Sequence, residues 1–329
     1  MALRVARMLA PSSGADPVEV ARLRAAVADE LPAIDAAARR WTQLGGELDP
    51  TEVTVVGRMG WVQHNLSSLR GAFEPLRERL TERSRAAPKV LGTQLGALFG
   101  LLSSKVLGQY LLPLGGPGGG KLVVVGPNVL VLADKHGALA DDIRRCVVLH
   151  EVTHRLQFDA TPWLADHLAG LVRRYLEHAR IDRAAMLELA PRLPEVIDQV
   201  RRTGSIQPLI ETVLTPEQAE ILAEAQGLMS LLEGHGNAAM FDAADELVRD
   251  PEAVRAALDA RRNDVTSRIL TAVAGLEMKR RQYREGESFV REVLELGGVQ
   301  ALNRAFTGPD ALPRAHEVDD AAGWVARVT

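Results

Sequence analysis

The sequence predicts a mainly α-helical protein with one small β-hairpin set just ahead of its most informative helix. Three observations carry this. Only 4% of the residues are aromatic while 47% are hydrophobic, so the core is built from Ala, Leu and Val, which suits close-packed helices better than a β-sandwich. Asp or Thr followed by Pro, an N-cap with a first-turn proline, occurs at Asp16-Pro17, Thr161-Pro162, Thr215-Pro216 and Asp250-Pro251, and apolar residues spaced by three and four follow each pair. Apolar β-branched runs separated by turn residues are confined to one stretch.

Taken in order, Asp16-Pro17 opens a helix running to about Arg40. Val90 to Ser104 is uncharged but shorter than the ~20 apolar residues of a membrane span. Its Gly92, Gly96 and Gly100 recur at helical spacing and read as a groove for close helix packing. Lys121–Val125 and Val129–Ala133, parted by Gly126-Pro127-Asn128, read as two strands and a turn. The preceding Gly115–Lys121 imitates a phosphate loop, but Leu122 stands where Ser or Thr is needed and the chain enters a strand rather than a helix. It is read as a connection. A helix follows from Asp141 to Phe158, with acids at its start where the helix dipole favours them. Thr215 with Gln218 makes a capping box for a further helix that passes through Ala225–Phe241. No internal repeat or low-complexity linker is present. The 329 residues divide into an N-terminal helical region, 1–88, packed on a domain, 89–329, that carries the chemistry, the two forming one compact unit.

Composition excludes several functions. There are 39 basic and 43 acidic residues, a net charge of −4, with no concentrated basic face of the kind nucleic acid requires. The single cysteine, Cys146, rules out an internal disulfide and a cysteine-based zinc site; four residues before His150 on the same helix, it reads as a buried, inert thiol. Arg4 and Arg7 interrupt the first apolar run, which makes it a poor signal peptide. A cytoplasmic protein binding neither nucleic acid nor membrane is expected.

The chemistry lies in His150-Glu151-Val152-Thr153-His154. Two histidines four apart on a helix point the same way and can share one Zn²⁺, and Glu151 projects beside it to take a proton from water. Ile143, Val147, His150, His154 and Phe158 form one helical stripe, so the helix is expected to be buried. An extended form of the motif would need Gly and His at the positions of Gln157 and Ala160 and is excluded. The alternative is a third ligand from elsewhere, such as a Glu from a later helix. Glu233 is the formally charged residue of the run Ala225–Phe241, and a carboxylate in such surroundings is costly to ionise without a cation. Glu177, His178 and Asp166 are rivals, set in an Arg-rich cluster. Asn237, one turn beyond Glu233, is a candidate to hydrogen-bond a ligand imidazole. Gly234 and Gly236 suggest a continuous helix pressed close to its neighbour. Tyr283, Tyr110 and His235 are candidates to steady an oxyanion, and Lys279-Arg280-Arg281 to hold a substrate carboxylate. His64, His136, His167 and His316 lack companions at ligand spacing.

The segments HEVTHRLQFDATPWLADHL and LLEGHGNAAMFD resemble a bacterial zincin-like metalloprotease family common in actinobacteria, whose members are labelled zinc-dependent metalloprotease or deazaflavin-coenzyme biosynthesis-associated protein. The similarity extends to GWVQHNLSSLR, VLGQY, VVVGPNVLVLA and KRRQYREGESFVREV, and so to most of the chain. It implies a mainly helical zincin-like fold, His150, His154 and Glu233 as zinc ligands and Glu151 as base. Related zinc peptidases with a helical Glu ligand often place Asp where Asn237 stands. The expected function is hydrolysis of a peptide or protein substrate by a zinc-activated water with Glu151 as general base, the hairpin offering an edge strand to an extended substrate. The alternative is a non-catalytic, zinc-pinned binding or assembly factor, in which a fourth protein ligand such as His178 or His235 would close the metal site.

Overall fold

Helix starts fall where the Asp-Pro and Thr-Pro pairs put them. The computed structural model describes residues 1–12, 14–72, 87–114, 119–178, 215–260 and 277–329. Helix α1 (Ala2–Leu9) precedes α2 (Pro17–Thr42), where Asp16 accepts from the Val18 N–H at 2.9 Å. Strand β1 (Val53–Val56), α3 (Arg58–Ser68), α4 (Ala87–Leu102), β2 (Gly108–Leu111), β3 (Lys121–Val125) and α5 (Gly126–His136) lead to α6 (Ala140–Asp159) and α7 (Pro162–Glu177). Then come α8 (Pro216–Asp242), a helical run at 251–260, α9 (Glu277–Asn303) and α10 (Ala321–Val328). The capping box at α8 is complete: the Thr215 hydroxyl accepts from Gln218 N–H and the Gln218 carbonyl from Thr215 N–H, both at 3.2 Å. The architecture is thus mainly α with one small sheet.

The glycine stripe of α4 is a packing groove. A Cβ on Gly100 would stand 2.9 Å from the Ala6 carbonyl oxygen, and one on Gly96 would overlap Ala2; α1 lies in that groove. No helix among the described residues is long and apolar enough to cross a membrane.

The hairpin differs from the one expected. Lys121–Val125 is a strand, but Val129–Ala133 lies within α5. The partners of β3 are instead β1, parallel, and β2, antiparallel, in the order β1-β3-β2. The reason lies in Gly126-Pro127-Asn128. Pro127 occupies the first turn of α5, where its fixed φ and missing N–H are tolerated. Asn128 makes no turn; its amide donates to the Ser103 and Val106 carbonyls at 2.8 and 2.6 Å and accepts from Arg58 Nε at 2.8 Å. That fastens the approach to β2 beneath α5. The central strand is buried on both faces, Leu122 and Val124 against α6 and Val123 and Val125 against Trp61 and Phe99, which explains its unbroken apolar run. The glycine-rich connection joins β2 to β3. A Cβ on Gly120 would collide with the Tyr110 hydroxyl, so a side chain is excluded there.

Helix α6 is buried along most of its length, between α2, α8 and the sheet. Its acidic start does more than meet the helix dipole. Asp142, fully buried, pairs with Arg145 at 2.9 Å, and Glu30 of α2 accepts from Arg144 and Arg145 at 2.7 and 3.0 Å. These pairs fix the height of α6 against α2. Cys146 faces the core at 1% exposure, and burial pushes its thiol up to about 12. The folded protein is therefore expected to resist alkylation at pH 8, where only ~1 in 10⁴ thiols would be ionised. One equivalent should react once denaturant is added, and rapid labelling of the native protein would contradict this burial.

Candidate metal centre

Helix α6 brings His150 and His154 to one face, and α8 crosses it with Glu233 opposite. The two Nε2 atoms stand 3.0 Å apart. Glu233 Oε2 lies 3.4 Å from His150 Nε2, and Oε1 lies 3.7 Å from His154 Nε2. Among the described residues these three form the group whose ligand atoms converge for a metal. Their spacing fits the donor set: bonds of ~2.0–2.1 Å at tetrahedral angles separate ligand atoms by about 3.3–3.4 Å. Two imidazoles and a carboxylate are also ligands that zinc accepts.

The crossing is close because Gly234 and Gly236 have no side chains. Helix α8 runs unbroken through both, as expected. A Cβ on Gly236 would stand 3.0 Å from His150 Cε1 and 3.2 Å from His154 Cε1, and one on Gly234 would stand 2.7 Å from the Gly286 carbonyl of α9. One glycine admits the metal helix and the other admits α9. Gly236→Ala is expected to raise helix propensity by ~1 kcal/mol while displacing both rings, so zinc affinity falls and the metal-free melting temperature does not. Titration with zinc beside thermal melts checks this; unchanged affinity would show that the rings have room.

Glu151 lies beside the cluster at 7% exposure. Burial pushes its carboxyl up to about 7; nearby His154 and the Tyr110 backbone N–H lower it, and Glu233 raises it. A Cβ on Gly108 would sit 2.6 Å from Glu151 Cγ, so β2 forms the wall against which this side chain is held. Val125 N–H donates to the Leu107 carbonyl at 2.8 Å, so in the antiparallel alternation residues 107, 109 and 111 turn their backbone groups toward β3. Gly108 and Tyr110 turn theirs outward, over the site. A cavity of 480 Å³ opens here, with Val147, Leu232, Met240, Phe241 and Leu258 among its apolar walls.

Two oxyanion candidates are corrected. The Tyr110 hydroxyl donates to Asp159, its ring stacking on Phe158 at 6.2 Å, and burial with that bond raises its pKa well above the ordinary value. His235 is fully buried, facing Trp41 and Phe306 rather than the cavity, and burial drives its pKa down to about 3. The side chains of Tyr283, Lys279, Arg280 and Arg281 lie outside the described residues. Asn237 lines the cavity, but no hydrogen bond joins it to either ligand imidazole among the described residues. The bond that sequence reasoning missed comes from Gln157, one turn after His154: its carbonyl oxygen meets His154 Nδ1 at 2.8 Å. The rivals Asp166, Glu177 and His178 are exposed on and just beyond α7 and stand outside the cluster.

A helical scaffold that sets two histidines one turn apart, a glutamate beside them and a second glutamate from a crossing helix has the makings of a metal site of the His-Glu-x-x-His type. The chain belongs to the zincin-like metallopeptidase family, whose model matches residues 1–325. Such membership implies a bound metal, typically zinc. The chain is also similar to a crystal structure described as "a putative hydrolase with a novel fold" from Chloroflexus aurantiacus, at 26% identity and a TM-score of 0.71, over 99% of this chain and 96% of that one. No curated protein matches the chain.

Proposed function

We propose that the protein is a zinc-dependent peptidase in which His150, His154 and Glu233 hold the metal and Glu151 is the general base. The observation that carries this reading is the convergence of the three ligand atoms within 4.8 Å of one another, with the Glu151 carboxyl beside them at the head of the cavity. Zinc, when bound, supplies a Lewis acid that lowers the pKa of water and polarises a carbonyl. Glu151 accepts the proton of the attacking water at its carboxylate and returns it to the leaving amine. An extended peptide pairs with the outward N–H and C=O groups of Gly108 and with the C=O of Tyr110, whose N–H is held by Glu151, β2 being an edge of the sheet. The apolar walls favour an apolar substrate side chain and exclude water around the reacting carbonyl. The proposed setting is the cytoplasm.

The zinc-pin reading requires a fourth protein ligand. Among the described residues the two named for it point elsewhere: His235 toward Gln157, and His178 exposed beyond α7. That favours the enzyme. The test is elemental analysis of protein purified without metal-affinity resin, followed by assay of the zinc-loaded protein on a fluorogenic peptide library with and without chelator. About one zinc per chain and chelator-sensitive cleavage are expected; stoichiometric zinc with no cleavage would favour the pin.

A further inference from the structure

Behind the metal cluster, away from the cavity, lies a buried chain of polar groups. Gln157, fully buried, holds His154 Nδ1 with its carbonyl oxygen at 2.8 Å. Its amide nitrogen stands 3.0 Å from the Leu232 carbonyl oxygen and 2.7 Å from His235 Nδ1. The direction of every proton in this chain follows from one atom. A backbone carbonyl can only accept, so the group facing Leu232 is the NH₂. The oxygen of the same amide then faces His154, and an oxygen there accepts, so the hydrogen sits on His154 Nδ1. A neutral imidazole with Nδ1–H has its lone pair on Nε2, the atom aimed at His150 and Glu233. By the same logic His235 Nδ1 accepts from the second amide hydrogen and its own hydrogen is on Nε2.

We propose that Gln157 and His235 are positioning residues for the metal centre: with the Leu232 carbonyl they lock the Gln157 amide in one orientation and thereby hold His154 in the tautomer that can bind a metal. The inference rests on His154 being a ligand. An amide flip would turn NH₂ toward His154, require Nδ1 to accept, and move the hydrogen onto Nε2, where it blocks coordination. The Leu232 carbonyl, which can only accept, opposes that flip, and His235 Nδ1 adds to it as long as its own hydrogen stays on Nε2. This assigns a reason for burying His235 at 0% exposure beside Glu233: its Nδ1 is the second acceptor. It also assigns a role to the residue that takes the place of the extended motif's glycine. The amide is neutral, so His154 is oriented without adding a third carboxylate to a site that already contains Glu151 and Glu233.

The test reads the tautomer directly. Long-range proton–nitrogen correlation spectra of the metal-free, histidine-labelled protein, assigned with His154→Ala and His235→Ala, should show Nδ1–H at His154 and Nε2–H at His235. Zinc affinity is measured in parallel by competition with a chelator. Gln157→Leu and His235→Leu should shift His154 toward Nε2–H and weaken zinc binding by ~10–100-fold, the usual range for losing a partner that orients a ligand. His235→Asn, whose side-chain oxygen can stand where Nδ1 stood, should keep both properties near those of the wild type. Nε2–H at His154 in the wild-type protein would overturn the proposal. So would Gln157→Leu binding zinc within twofold of wild type, or His235→Asn failing as fully as His235→Leu. If the leucine variants do not fold, the wild-type tautomer and His235→Asn still decide the matter. None of these readouts uses catalysis, so a zinc-loaded protein that cleaves no peptide would sink the peptidase reading and leave this one standing.

Discussion

Glu151→Gln is expected to leave zinc bound and to lower peptide hydrolysis by ~10²–10⁴-fold, the usual contribution of a general base. The substitution is close to isosteric, and space around Glu151 is tight because β2 approaches so near that Gly108 has no room for a Cβ. A glutamine fits that slot and can accept from the Tyr110 backbone N–H through its carbonyl oxygen. What it lacks is an oxygen able to carry a proton from water to the leaving amine. Burial raises the carboxyl of Glu151 to about 7 in the metal-free protein, and a cation beside it favours the carboxylate, the form that accepts a proton. The comparison needs kcat and zinc content measured on the same preparations. A variant that keeps zinc and retains more than a tenth of wild-type turnover would assign the base elsewhere.

Glu233→Ala is expected to act on the metal itself, weakening zinc binding by more than ~100-fold, beyond the 10–100-fold loss typical of removing a residue that merely orients a ligand. The two imidazoles would remain on α6, but two ligands from one helix cannot complete the protein's share of a site that ordinarily takes three. The melting temperature supplies an independent readout. Ligand binding stabilises by about 2.7 kcal/mol when free zinc stands at a hundred times Kd, so the wild-type protein should melt higher with zinc and the variant should not. Zinc stabilisation surviving in Glu233→Ala would place the third ligand outside the described residues, since Glu177 and His178 are exposed and apart from the cluster.

Several features of the site were legible because they are local in sequence. His150 and His154 are joined by one helical turn, and the four-residue offset alone sets their side chains on one face. Glu233 was readable because an apolar helix carrying a carboxylate needs a reason for it. The continuity of α8 through Gly234-His235-Gly236 followed from the apolar residues that resume after it. The role of Gln157 was not readable. Its position served only to exclude an extended motif, and the atoms that give it meaning, the Leu232 carbonyl and His235 Nδ1, come from another helix. Tyr110 and His235 stand in the sequence as candidates to steady an oxyanion because side-chain chemistry can be seen in a sequence and its commitments cannot. Asp159 and Gln157 had already engaged them.

The sheet draws the same line. Lys121–Val125 announced itself as a strand by its β-branched run, but which segments pair with it depends on backbone groups far along the chain. Val53–Val56 and Gly108–Leu111 are four residues each, too short to show a period, and Gly126-Pro127-Asn128 is as good an opening for a helix as for a turn. By itself, then, the sequence determined where the helices opened by Asp-Pro and Thr-Pro begin, which face of α6 carries the histidines and that those residues suit a metal ion. Caps, helical periodicity and ligand spacing are all satisfied within a few residues. The tertiary structure alone decided the strand partners, the wall that β2 builds against Glu151 and the hydrogen bonds behind His154. Each of those depends on a distant backbone arriving within about 3 Å, a distance set by the packing of α6 against α8 and the sheet and written in no single segment.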